Sequence, residues 1–154
     1  MMVVNRGKQF EDVIKQSFLG VPNVSIDRLP DPASGYLGIR NVCDFIVYKE
    51  PYEYYVECKS THGNTLPFTR ITDNQWAGML EKSKIRGVYA GVMVWFVDKD
   101  VTYWVDIRQL QMAKEYGKKS ISFDDKFIRY IPIRGKKKRV FFEYDMSSFF
   151  EETK

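Results

Sequence analysis

The stretch CDFIVYKEPYEYYVECK, residues 43–59, decides how this chain folds and what it can do. Apolar and aromatic residues alternate with polar ones on both sides of residues 50–51, which predicts two β-strands joined by a turn. A turn centred there sets Asp44 opposite Glu57. Because side chains alternate between the two faces of a strand, both carboxylates and the amine of Lys59 are expected on one face.

Two carboxylates at this spacing suit a divalent cation. Their side-chain stems would lie about 5 Å apart, where like charges repel. A raised pKa or a cation between them relieves the repulsion, and Mg²⁺ commonly takes one or two carboxylates with water and substrate phosphate. Lys59 on the same face could activate the attacking water or stabilise charge on the phosphate. These side chains are the minimum for metal-assisted phosphodiester hydrolysis, although acids and lysines are also common on exposed strands.

The sequence around this hairpin predicts a mixed sheet with helices packed on it. Thr72 and Gln75 fit a capping box at the start of one helix, and the almost continuous apolar run at 88–97 is typical of a central strand. The predicted elements are a helix over 10–18, a strand over 24–29, a polar loop over 60–64, a helix from Thr72 to Gly87, strands over 88–97 and 102–105, a helix over 107–116 capped by Asp106, and late strands over 128–133 and 140–144 around a basic turn at 134–139.

Composition narrows the class of protein. The chain has 154 residues, of which 44% are hydrophobic and 29% charged, so we expect one globular domain over residues 1–154. No apolar run approaches the ~18 residues of a membrane span, and the first residues turn polar too early for a signal peptide, so a cytoplasmic location and no membrane contact are expected. Cys43 and Cys58 are expected to be reduced and buried, opposing each other on the face away from the carboxylates.

Charge is concentrated near the C-terminal end. The net charge of +4 divides into zero for residues 1–117, +7 for residues 118–139 and −3 for residues 140–154. A stretch this basic suits a polyanion such as nucleic acid, or is a solvated surface loop. The expected phosphate-binding turn is Lys136, Lys137, Lys138 and Arg139, with Lys118, Lys119, Lys126 and Arg129 extending the patch.

Short motifs along the chain give a resemblance to a known family. They are residues 5–8 (NRGK) with Phe10 and Glu11, residues 43–45 (CDF), 57–61 (ECKST), 66–68 (LPF) and 73–75 (DNQ), and they occur in this order over roughly residues 5–96. In these the chain resembles the PD-(D/E)xK nucleases and, more narrowly, the RecU-type Holliday junction resolvases of Gram-positive bacteria and their phages. One departure is the short segment at 28–41, where these resolvases carry a longer stalk.

The resemblance implies roles for individual residues. Asp44, Glu57 and the backbone carbonyl of Cys58 would hold Mg²⁺, with Mn²⁺ as an alternative, and Lys59 would be the catalytic lysine. Glu11 either reaches the metal site through water or is an exposed helix acid. Gln75 lies near the site in related nucleases, or serves only as the capping partner of Thr72. The implied DNA contacts are Arg6, Lys8, Arg40, His62, Arg70, Lys136, Lys137, Lys138 and Arg139.

The fold implied is an α/β, restriction-endonuclease-like mixed sheet flanked by helices. The implied function is structure-selective cleavage of Holliday junctions by a metal-dependent endonuclease that leaves 5′-phosphates. Its expected partners are branched DNA and a second copy of the chain, with no small-molecule cofactor, and a phage origin is expected. The alternatives are another PD-(D/E)xK endonuclease acting on duplex or single-stranded DNA, a non-catalytic DNA-binding module, and a plain interaction domain.

Overall fold

A mixed sheet with helices on both faces is formed by residues 6–30, 41–137 and 142–154, the part of the chain that the computed structural model describes. The elements in chain order are α1 (Arg6–Leu19), β1 (Ser25–Arg28), β2 (Phe45–Lys49), β3 (Tyr52–Thr61), β4 (Thr65–Pro67), a short 3₁₀ turn (Phe68–Arg70), α2 (Asp73–Ser83), β5 (Val88–Phe96), β6 (Val101–Asp106), α3 (Ile107–Glu115), β7 (Ser120–Ser122), β8 (Ile131–Pro132), β9 (Gly135–Lys137), β10 (Phe142–Tyr144) and α4 (Met146–Glu152).

The main sheet has six strands in the order β1-β2-β3-β5-β6-β8. Strands β3 and β5 run parallel, and the other neighbours are antiparallel. Strand β5 is thus central and covered on both faces, which explains its nearly unbroken apolar sequence. Two small two-stranded sheets, β4–β7 and β9–β10, complete the described architecture.

Two hydrophobic clusters pack against opposite faces of the sheet. Along β5, Met93 joins one cluster while Val92 and Val94 join the other, as strand alternation requires. The α1-side cluster includes Phe10, Phe18, Val56, Met93, Trp104 and Phe149. The α2-side cluster includes Tyr55, Met79, Val92, Phe96, Leu110 and Ile121. With both faces covered, functional groups can reach solvent only where strands end or separate.

Strands β2 and β3 separate at the functionally important place. Their register sets Tyr48 opposite Glu53 and Ile46 opposite Tyr55, as predicted, and the ladder ends at the pair Phe45–Val56. The rest of β3, to Thr61, continues along β5. The second half of β3 therefore has no β2 residue beside it, and its edge there faces the open side of the sheet.

The helix boundaries follow the predicted caps. Thr72 and Gln75 form the capping box of α2, and the Asp106 side chain accepts a hydrogen bond from the Arg108 N–H at the start of α3. Helix α2 ends at Ser83, before the predicted stop at Gly87. Gly87 instead has φ +84°, a left-handed conformation that favours glycine, at the entry to β5.

Several predictions of local structure were wrong. The loop expected at 60–64 is confined to residues 62–64, because β3 runs to Thr61. The strand expected over 128–133 is only β8, Ile131–Pro132. The basic turn expected at 134–139 begins as a strand, because residues 135–137 pair with β10; residues 138–141 lie outside the described part of the chain. Strands β4 and β7 and helix α4 were not predicted.

The two cysteines are free and buried, as expected, but do not share a face of the sheet. Cys43 packs in the α2-side cluster and Cys58 in the α1-side cluster. The predicted opposition was wrong because β2 begins only at Phe45, so strand alternation does not extend back to Cys43. Among the described helices, none has the length and apolar character needed to cross a membrane.

Candidate active site

An open cleft of about 610 Å³ lies where β2 and β3 separate, between the start of α1 and the turn that precedes α2. The residues that line it come from five segments of the chain. They are Gly7, Lys8, Glu11, Asp12, Arg28, Asp44, Glu57, Cys58, Lys59, Ser60 and Arg70. Of the residues predicted for the site, the structure brings together Lys8, Glu11, Asp44, Glu57, Cys58, Lys59 and Arg70.

Glu57 is the most buried charged residue of this cleft, with 2% of its surface exposed. Its Oε2 atom accepts hydrogen bonds from Lys59 Nζ at 2.9 Å and from Gln75 Nε2 at 3.1 Å. Its Oε1 atom is buried and has no hydrogen-bond partner among the described residues. A buried carboxylate oxygen without a partner is costly unless a ligand satisfies it.

Asp44 lies beside Glu57, one residue before β2. Its Oδ2 atom accepts a hydrogen bond from the Cys58 backbone N–H at 2.8 Å, which ties the two strands together where their ladder ends. Burial, and then the negative charge of Glu57, raise the pKa of Asp44 to about 6, although the Cys58 N–H opposes this shift. The repulsion expected between the two carboxylates is therefore present.

Glu11 brings a third carboxyl group to the cleft from α1. Burial, followed by its hydrogen bond and like-charge repulsion with Asp44, raises the pKa of Glu11 to about 7. Arg28, whose Nη2 lies 3.4 Å from Glu11 Oε2, lowers that pKa in part. Contact with Asp44 favours the interpretation of Glu11 as a site residue over that of an exposed helix acid.

Gln75 has both of the roles that the sequence offered as alternatives. Its Oε1 atom accepts the Thr72 backbone N–H at 3.2 Å, completing the capping box, while its Nε2 atom donates to Glu57. The cap therefore fixes the start of α2 and aims a donor at the buried carboxylate. Sequence spacing alone could not show that one amide makes both contacts.

The donor set fits a hard divalent cation. Glu57 Oε1 is unsatisfied, and two neighbouring carboxyls have raised pKa values that a cation would lower. In the described residues no three Asp, Glu, His or Cys side chains form a metal-binding group. The ligands would therefore be Asp44 and Glu57 with the Cys58 carbonyl and water, a set of oxygen atoms typical of Mg²⁺ or Mn²⁺. Burial raises the pKa of the Cys58 thiol well above its ordinary value, which disfavours a thiolate ligand.

Other predicted DNA contacts are not gathered in this cleft. Arg6 donates to Gln9 at 3.2 Å on α1. His62 lies beyond the cleft, with its Nδ1 3.1 Å from Asp98 Oδ1. Arg40, Lys138 and Arg139 lie outside the described residues, and Lys136 and Lys137 are described only as backbone of β9.

The predicted basic patch is split between the two faces of the sheet. Strand β10, the partner of β9, packs on α1, where the Tyr144 backbone N–H donates to Ser17 Oγ at 2.9 Å. The segment at 118–119 lies on the α2 side, where the Lys119 carbonyl accepts the Phe68 N–H at 2.9 Å. The backbone at 118–119 and the backbone of β9 therefore lie on different sides of the sheet, and the predicted phosphate-binding role of the lysines stays a prediction.

Arg28 and Ser60 are cleft residues that sequence reasoning missed. Arg28 ends β1 and pairs with Phe45, which places it next to Asp44. The strand itself was predicted, but not its position beside β2, and only that pairing reveals the role. Ser60 offers its carbonyl to Arg70 Nη2 at 2.9 Å, which holds the Arg70 guanidinium at the rim.

Comparison with solved structures identifies the fold of this chain. The fold is similar to that of the Holliday junction resolvase Hjc from Archaeoglobus fulgidus, with a TM-score of 0.53 and 15% sequence identity over 76% of this chain and 88% of that one. The fold is therefore restriction-endonuclease-like, as predicted from the sequence. No curated protein matches the chain with a significant score.

The family follows from a sequence model described as "Recombination protein U", which matches residues 21–144. The chain belongs to this family, RecU, and the resemblance drawn from the motifs is confirmed. Membership in this family supports the function expected from the sequence, a nuclease that resolves Holliday junctions.

Proposed function

We propose that the cleft hydrolyses one phosphodiester bond in one strand of a four-way DNA junction, that a second copy of the chain makes the matching cut in the opposed strand, and that the reaction depends on Mg²⁺ or Mn²⁺. The unsatisfied, buried Oε1 atom of Glu57 is the observation that carries the proposal. Asp44, Glu57 and the carbonyl of Cys58 would hold the cation. Bound there, it would supply Lewis-acid stabilisation of the phosphate charge and a more acidic water.

The protein side chains have separate tasks in this reaction. Lys59 Nζ, 2.9 Å from Glu57 Oε2, is held at the cleft, where it stabilises negative charge that develops on the phosphate oxygens. Gln75 fixes the orientation of the Glu57 carboxylate through its hydrogen bond. Water adds to phosphorus, the bond from phosphorus to O3′ breaks, and O3′ takes up a proton from solvent water, which leaves a 5′-phosphate and a 3′-hydroxyl.

Glu11 supplies a place for the proton that the water loses. Its carboxyl lines the cleft beside Asp44 and its pKa is raised to about 7, so it can accept a proton close to neutral pH. Arg28 limits how far the pKa of Glu11 rises. Lys8 and Arg70 both line the cleft, where they are placed to contact phosphates of the bound strand.

Two matched cuts in a symmetric junction require two active sites. A two-fold homodimer supplies them in the right relation, so we propose that the functional unit is a dimer of this chain.

The substrate class is tested with an end-labelled four-way junction, a linear duplex and a single strand, each with Mg²⁺ or EDTA. Paired symmetric cuts confined to the junction and abolished by EDTA are expected. Equal cutting of the linear duplex would support nuclease activity of this cleft and contradict its proposed selectivity for junctions.

A further inference from the structure

Helix α2 lies very close to the short segment that leads into β2, and Gly78 is the residue that permits this approach. A Cβ atom at position 78 would lie 2.1 Å from Cγ1 and 2.9 Å from Cβ of Val42. Carbon atoms in ordinary contact are about 3.5–4.0 Å apart, so any side chain at position 78 would displace its neighbour by roughly 1 Å. A different rotamer of Val42 would not make room, because rotation about χ1 leaves its Cβ in place.

Each side of this contact carries a group of the active site. Val42 is two residues before Asp44 in the chain. Gln75 is three residues before Gly78, on the same face of α2, and donates to Glu57 Oε2 at 3.1 Å. The contact between Gly78 and Val42 therefore sets the separation between the helix that orients Glu57 and the segment that carries Asp44.

The segment that carries Asp44 is also held by several hydrogen bonds. The Asp44 N–H donates to the Val56 carbonyl at 3.1 Å, and the Asp44 carbonyl accepts the Leu29 N–H at 2.8 Å. At its other end, the Asn41 carbonyl accepts a hydrogen bond from Asn74 Nδ2 of α2 at 3.5 Å. A push on the residue between these anchors is therefore passed to the backbone of Asp44.

Helix α2 has as little freedom to move as the segment that it contacts. Trp76 and Met79 are buried in the α2-side cluster, and the capping box fixes the first turn of the helix. If α2 moved away from the segment, the hydrogen bond from Gln75 to Glu57 would lengthen. Whichever side gives way, one of the two carboxylates loses its position.

We infer that Gly78 is a positioning residue of the nuclease site, because its lack of a side chain sets the distance between Asp44 and Gln75 and so the spacing of the two carboxylates that would hold the cation. The inference rests on the proposed metal-dependent cleavage. It adds to that proposal a residue that lies outside the cleft lining and acts only through Val42 and α2.

Single-turnover cleavage of a four-way junction tests the positioning role. Gly78→Ala should cut a pre-bound junction about 100-fold more slowly, since misplacing a reacting group by about 1 Å can cost that factor. It should also need more Mg²⁺ for its half-maximal rate while binding the junction normally in EDTA. Gly20→Ala is the matched control, because a Cβ there has no neighbour closer than 3.5 Å. Cleavage by Gly78→Ala at the wild-type rate would overturn the inference.

A second substitution shows whether the loss comes from this contact. Val42→Gly removes both atoms that the new side chain would meet and leaves the Cα of residue 42 at 3.8 Å. In the Val42→Gly background, Gly78→Ala should therefore change the cleavage rate very little, a coupling that a double-mutant cycle measures. An equal loss in both backgrounds would overturn the inference. Helix propensity cannot imitate the effect, because alanine favours a helix more than glycine does.

Two amide signals report the same geometry in the metal-free protein. In EDTA, nuclear magnetic resonance follows the Cys58 backbone N–H, which donates to Asp44 Oδ2 at 2.8 Å, and the side-chain amide of Gln75. Gly78→Ala should shift at least one of these signals, and the shift should be smaller in the Val42→Gly background. Unchanged signals would overturn the inference. Shifted signals in a protein whose wild type cuts no DNA in Mg²⁺ would sustain the positioning by Gly78 and reject the nuclease.

Discussion

Replacing Asp44 by asparagine should stabilise the metal-free protein near neutral pH. The pKa of Asp44 is about 6 in the folded protein, against an ordinary value of 3.8. The change from 3.8 to about 6 corresponds to roughly 3 kcal/mol as an upper limit, at ~1.4 kcal/mol per unit. Asparagine keeps an oxygen that can accept the Cys58 N–H and removes the charge, so the penalty disappears while the tie between the strands is retained.

The direction of the pKa shift determines how this gain in stability depends on pH. Because the pKa of Asp44 is raised in the folded protein, burying this carboxyl costs no stability below about pH 4, where it is protonated in both states. The free energy of unfolding then falls as the pH rises through about 6 and the buried carboxyl ionises. In EDTA, the free energy of unfolding of Asp44→Asn should therefore exceed that of the wild type above about pH 6 and match it near pH 4. Added Mg²⁺ should stabilise the wild type and reverse the order, since a ligand that binds only the folded state raises its stability.

Urea unfolding at the two pH values, with EDTA or Mg²⁺, makes the measurement. Asp27→Asn is the matched control, because Asp27 is exposed on β1, and surface substitutions usually change stability by less than about 0.5 kcal/mol. Equal stability of Asp44→Asn and the wild type above pH 6, or a loss of stability in EDTA, would refute the account of Asp44 as a buried, repelled carboxylate.

Three further predictions concern the other groups of the cleft. Lys59→Met should slow single-turnover cleavage by about 10²–10³-fold with junction affinity little changed, as removal of one charge-stabilising group does; an unchanged rate would remove Lys59 from the chemistry. Thr72→Ala should lower the free energy of unfolding by about 1 kcal/mol through loss of the cap and leave the cleavage rate intact, whereas Gln75→Ala should lower both, and equal rates in the two variants would reduce Gln75 to a cap. Arg28→Gln removes the cation that lowers the pKa of Glu11, so the acid limb of the pH–rate profile should move to higher pH; an unmoved limb would contradict the role of Glu11.

The hairpin at the centre of the site could be predicted because its local rules agree. Alternation and turn position fix the register of β2 and β3, and one slipped residue would send every side chain to the opposite face. The same is true of the helix caps at Thr72 and Asp106, which depend on residues only a few positions apart. Such features need no knowledge of distant contacts.

Features that depend on distant parts of the chain could not be predicted. The contact of Arg28 with Glu11 joins residues 17 positions apart and follows from β1 pairing beside β2. The short strand β4 was not predicted, because it pairs with β7, more than fifty residues further on, and has little pattern of its own. The basic stretch is continuous in sequence, but the backbone of β9 and the backbone at 118–119 lie on different sides of the sheet. These outcomes reflect tertiary pairing, which periodicity does not encode.

The buried Oε1 atom of Glu57, which has no hydrogen-bond partner among the described residues, supports the central claim that this cleft is the active site of a metal-dependent junction nuclease. The substitution Glu57→Gln tests that claim most directly. Single-turnover cleavage of a pre-bound four-way junction in Mg²⁺ is compared between this variant and the wild type. We predict that the variant binds the junction normally and cuts it at least about 100-fold more slowly, since loss even of a group that supports a metal ligand lowers activity 10–100-fold. Cleavage by Glu57→Gln at the wild-type rate would contradict the account.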